Sequence, residues 1–203
     1  MGALLVVSKQ AMSGLPNIEP VTLLIILFAL ELPRETPAAI TVFILLQGVL
    51  YGFGLWWAMY LYIWYLLALL AWLCRKVRHA LFWAVFSGLY GLCFGGLCAA
   101  VYLFAKTPAF ALSWWLSGLS YDAMHGVGNF AIMLLLYKPL RKALQAAVDA
   151  EDKSDEDYLV LIDKFVTSTD IELPADGKYY TIANVQKNGT KYYLAYDGEA
   201  VTL

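Results

Sequence analysis

Long apolar stretches, broken by prolines, glycines and single charges, run along the chain as far as residue 146. A helix needs about 20 apolar residues to cross the ~30 Å hydrocarbon layer of a bilayer, and that is the unit to look for. The pattern predicts a half-length helix at about residues 2–12, then spans at about 19–32, 37–53, 56–74, 79–104 and 120–145. Pro16, Pro20, Pro33 and Pro37 mark the early boundaries, and Gly52 and Gly54 in YGFGLWW separate the third stretch from the fourth. Between the last two spans, KTPAFALSWWLSGLS is apolar but too short to cross, and it reads as a re-entrant or interfacial turn of helix.

Beyond residue 146 the pattern changes. Ser154 followed by Asp155, Glu156 and Asp157 is a helix-start signal, with Tyr158, Leu159, Ile162, Phe165 and Val166 as its apolar stripe. After Pro174, Asn188-Gly189 and Asp197-Gly198 fall between aromatic and β-branched runs and predict a three-stranded meander. The expectation is an all-α integral membrane bundle over residues 1–146, its first helix truncated, followed by a small soluble α+β tail over 147–203.

Composition sharpens this division. Hydrophobic residues make up 61% of the 203, against about 45–50% in a soluble domain. The net charge of −2 conceals a split: residues 1–146 hold nine Lys/Arg and four Asp/Glu, and residues 147–203 hold five and twelve. Within the apolar part, Arg34, Arg75, Lys76, Arg78, Lys138, Arg141 and Lys142 fall on one side of the predicted spans, and Lys9 and Lys106 on the other. Positive residues gather on the cytoplasmic side, so the C-terminus is expected inside a multi-pass cell-membrane protein. Cys74, Cys93 and Cys98 lie in apolar stretches without a CxxC and read as buried thiols rather than a disulfide framework or metal site.

Polar groups in this setting are candidates for chemistry. Asp122, His125 and Asn129 share one face of the last predicted span, near its outer end. Ionisable residues inside a membrane are costly and commonly face a cavity or a partner. The bland account is a helix-start aspartate, with His125 and Asn129 bonded to neighbouring helices. Trp56, Trp57, Tyr60, Trp114, Trp115 and Tyr121 stand at the same level; they could stack on a flat ligand or form an interfacial belt. Ser87, Gly91, Gly95 and Ala99 recur every four residues and make a nearly flat helix face for close packing, within the bundle or against another subunit. Ser87 and His125 also suggest a nucleophile and base, but the predicted topology puts them at different depths. The chain contains no GxxxxGK[ST] and no HExxH, and its few, one-sided basic residues argue against a nucleic-acid partner.

Taken together, SKQAMSGLPNIEPVTLLIILF, LLQGVLYGFGLWW and YDAMHGVGNFAIMLLLYKPLRKAL resemble the substrate-binding S component of an energy-coupling factor (ECF) vitamin transporter, over roughly residues 3 to 145. The last segment, with Asp122, His125, Asn129 and the KPL at Lys138, is the most specific. The resemblance implies a six-helix membrane bundle with both termini inside. It implies no enzyme activity and no cofactor or metal. A vitamin or similar micronutrient would be captured at the outer face and passed inward with a transmembrane coupling subunit and two cytoplasmic ATPases. The residues expected to contact ligand are Asn17, Glu19, Trp57, Trp115, Asp122, His125 and Asn129. Two features depart from the family pattern. Gly2 is followed four residues on by Val6, where a small-xxx-small docking motif is expected, and the acidic tail is not part of the usual S component. The other readings are a membrane scaffold or sensor whose cytoplasmic tail is the working part, and an intramembrane hydrolase.

Overall fold

A computed structural model describes residues 1–12, 14 and 18–166, together with strand residues 185–187, 190–192, 195–196 and 201–202; side chains are described through residue 150. The chain divides into two units, Met1–Leu144 and Gln145–Leu203.

The first unit is built from helices: α1 (Gly2–Ala11), α2 (Val21–Glu31), α3 (Thr36–Tyr51), α4 (Leu55–Leu73), α5 (Ala80–Ala105), α6 (Pro108–Ser117) and the start of α7 (Leu119–Val166). Two of them, α4 with 19 residues and α5 with 26, are long and apolar enough to cross a membrane; α2 and α3 are apolar but shorter. Proline at the first turn and the Thr107 hydroxyl, which accepts from Phe110 N–H at 3.2 Å, start α6. Its ten residues span about 15 Å, too short to cross.

Helix α2 is buried from Val21 through Ala29 on every side, so it forms the centre of the bundle. Around it, α1, α3, α4, α5, α6 and α7 each turn large apolar side chains outward, such as Val7, Val49, Leu69, Leu89, Leu112 and Leu135. Helix α1 runs parallel to α3. A Cβ on Gly2 would lie 2.7 Å from the Val42 side chain, and the Tyr51 hydroxyl donates to Gln10 Oε1 at the other end. Gly2 therefore faces the bundle itself. Tyrosine hydroxyls tie α4 to α5: Tyr62 donates to the Leu97 carbonyl at 2.6 Å and Tyr90 to the Ile63 carbonyl at 2.5 Å. Each hydroxyl is thus satisfied by a backbone carbonyl of the neighbouring helix.

The α5 ladder packs on α7. A Cβ on Gly91 would lie 2.8 Å from the Gly126 nitrogen, and one on Gly126 would lie 2.5 Å from the Leu92 side chain. Among the described side chains of α7, the buried positions are Asp122, His125, Gly126, Gly128, Asn129, Met133 and Tyr137, one stripe at helical spacing. Far along this stripe, Arg141 Nε donates to Glu31 Oε1 at 2.6 Å and its Nη1 to the Tyr137 hydroxyl at 2.7 Å.

Two expectations for the tail need correcting. Ser154 does not open a new helix, because α7 is continuous from Leu119 to Val166. Between Pro139 and Val166 the sequence has no glycine or further proline to stop the helix. The described strands β1 (Val185–Lys187), β2 (Thr190–Tyr192), β3 (Ala195–Tyr196) and β4 (Val201–Thr202) do not form one three-stranded sheet. They pair as two antiparallel ladders, β1 with β2 and β3 with β4.

Candidate functional site

The Asp122–His125–Asn129 face points into the bundle, and its three members have different surroundings. Asp122 Oδ1 accepts from Gly95 N–H at 2.8 Å, and Oδ2 accepts from Trp115 Nε1 at 3.2 Å. One carboxylate thus joins α5, α6 and α7. The absence of a side chain at Gly95 makes room for it, since a Cβ there would lie 2.4 Å from Oδ2. Asn129 Nδ2 donates to the Thr22 hydroxyl at 3.2 Å and lies 3.4 Å from the Ser87 carbonyl, linking α7 to α2 and α5. Two of the residues expected to touch ligand, Asp122 and Trp115, are bonded to each other, and Asn129 is occupied by neighbouring helices.

His125 is different. Its ring is 3% exposed and stands edge-on to Phe94, with centroids 4.7 Å apart. Among the described residues, its Nε2 has no hydrogen-bond partner. The Ser87 hydroxyl does not reach it; that oxygen lies 3.1 Å from the Ala84 carbonyl and 3.2 Å from the Asn129 carbonyl.

The remaining expected residues separate in space. Trp57 Nε1 donates to the Ile44 carbonyl at 2.9 Å, and its ring meets Phe53, which ties α4 to α3. Glu19 is paired with Lys9 at 2.8 Å, and Lys9 also donates to the Tyr60 hydroxyl at 3.1 Å. Asn17 lies outside the described residues.

Lys9 and Tyr60 lead into a cluster of rings that the sequence did not single out as a site. Trp64 touches Tyr60, Phe43 and Phe94, with ring centroids 5.3, 5.8 and 5.5 Å away, and Phe94 touches His125. Trp64 is fully buried, yet its Nε1 has no partner among the described residues; the same holds for Nε2 of Gln47, which is 1% exposed. Gln47 follows Phe43 by one turn on the same face of α3. A lone amide within ITVFILLQGVLY was the signal available in the sequence.

Among the described residues no three His, Cys, Asp or Glu side chains gather as a metal site. Cys98 is buried and Cys74 half-buried, but Cys93 is exposed, against the expectation of three buried thiols. It falls on the outward side of α5, which an apolar sequence alone does not distinguish from the inward one. No protein-family model, no curated protein and no solved structure matches this chain.

Proposed function

We propose that the chain is the substrate-binding S component of an ECF-type transporter, which captures a vitamin or related micronutrient at the outer membrane face. The observation that carries this reading is His125. It is buried, its Nε2 lacks a partner among the described residues, and it lies in the segment where the resemblance is most specific. A polar atom held without a partner in an apolar bundle is destabilising unless a ligand completes it. The apolar outer surface and the two membrane-length helices support a bundle in lipid. The six-helix arrangement, the multi-pass topology and the cytoplasmic C-terminus belong to this proposal, as do the coupling subunit and the two ATPases. The chain does no chemistry in this reading, and the sequence carries no P-loop of its own.

The test is uptake of labelled vitamins by cells that express the chain with or without a coupling subunit and ATPase pair. Uptake should require all the partners, while purified chain binds the same vitamin without nucleotide. ATP hydrolysis by the purified chain alone, or unaided accumulation of the vitamin, would contradict the proposal.

A further inference from the structure

The geometry points to a flat heteroaromatic ligand rich in hydrogen-bond acceptors, taken up among the rings of Phe43, Trp64 and Phe94 and bonded by Gln47, Trp64 and His125. This inference rests on the reading of the bundle as a small-molecule binder, and it adds the chemistry of what is bound.

Among the described residues, three polar side chains, each more than nine-tenths buried, lack partners for Gln47 Nε2, Trp64 Nε1 and His125 Nε2. Elsewhere in the bundle the buried polar groups are matched, as with Asp122, Asn129, Tyr62 and Tyr90. The exceptions are not scattered. Trp64 and His125 both touch Phe94, and Trp64 touches Phe43, one turn from Gln47. An unmatched buried group calls for a specific explanation, and three in one aromatic cluster share one.

The kind of atom decides the ligand class. An indole Nε1–H can only donate, and the unpartnered atom of Gln47 is the amide nitrogen, also a donor. The imidazole Nε2 can donate or accept. A ligand that satisfies them must present acceptors, such as ring nitrogens or ring carbonyls. The surrounding rings favour a flat partner that can stack or meet them edge-on. An aliphatic acid or a flexible chain can offer acceptors but no flat face to set against these rings.

The test uses the purified full chain and two variants that delete one donor each, the smaller Trp64→Phe and the near-isosteric Gln47→Met. Thermal unfolding is followed with riboflavin, nicotinate and pyridoxine as flat heterocycles, and with pantothenate, lipoate and biotin as compounds that lack an aromatic ring. We expect a heterocycle to stabilise the wild type. Each variant should bind it at least tenfold more weakly, while the ligand-free midpoint of Gln47→Met is unchanged or raised, because a buried donor without a partner has been removed. Stabilisation by a compound without an aromatic ring, variants that bind the heterocycle with wild-type affinity, or a Gln47→Met variant whose ligand-free midpoint falls would overturn this inference and leave the binding reading standing. No stabilisation by any of the six would count against the binding reading itself.

Discussion

Gly91 of α5 lies so close to Gly126 of α7 that a Cβ built on Gly91 would stand 2.8 Å from the Gly126 backbone nitrogen. The obstacle is backbone, which cannot rotate away as a side chain could. Gly91→Ala should therefore push the two helices apart and cost about 1–3 kcal/mol, the usual range for overpacking. Unfolding of the purified protein in detergent measures it. Gly14→Ala is the control, since a Cβ there meets nothing within 4 Å.

Asp122 should behave as a fastener. Asp122→Ala strips the Trp115 indole of its acceptor and removes the bond to Gly95 N–H, so it should lower stability by about 1–3 kcal/mol. Trp115→Phe, which deletes the donor and trims the ring but leaves the bond from Gly95 N–H, should lower it by less. If Asp122→Ala unfolds like the wild type, the carboxylate does not hold α5, α6 and α7 together.

Glu31 and Arg141 form a second tie, between α2 and α7, with side chains 14% and 13% exposed. Removing one partner strands the other charge in a nearly dry site. Arg141→Met should therefore destabilise by up to about 3 kcal/mol, and the double variant with Glu31→Gln should recover part of the loss. Additive losses would show that the two residues act independently.

Much of this arrangement was legible as pattern. The Ser87–Ala99 ladder announced a close helix contact, and the i, i+3, i+7 spacing placed Asp122, His125 and Asn129 on one face. The pairing of Asp122 with Trp115 was not legible. It depends on how the chain turns at Gly118, where the Gly118 N–H bonds back to the Trp115 carbonyl at 2.9 Å, and periodicity carries no such information. The full burial of α2 was hidden for a related reason. VTLLIILFAL reads the same whether its neighbours are lipid or protein. The donors of Trp64 and Gln47 stand out only once the helices are packed and every other buried group has been matched.

Orientation follows from charge alone and can be tested without a ligand. Seven of the nine Lys/Arg residues before position 146 fall on one predicted side. A reporter active only outside the cytoplasm, fused after Leu203, should be silent, and the same reporter placed after Lys106 should be active. The reverse pattern would put His125 near the inner face.

The central claim is that a small molecule completes His125. Thermal unfolding of the purified chain against a vitamin panel, repeated with His125→Ala, tests it most directly. One compound should stabilise the wild type by about 2.7 kcal/mol at a hundred times its Kd, through mass action. That gain should largely disappear in His125→Ala, while Asp122→Ala, though less stable to begin with, should keep most of it. A panel that stabilises nothing, or a full ligand response in His125→Ala, would contradict the account.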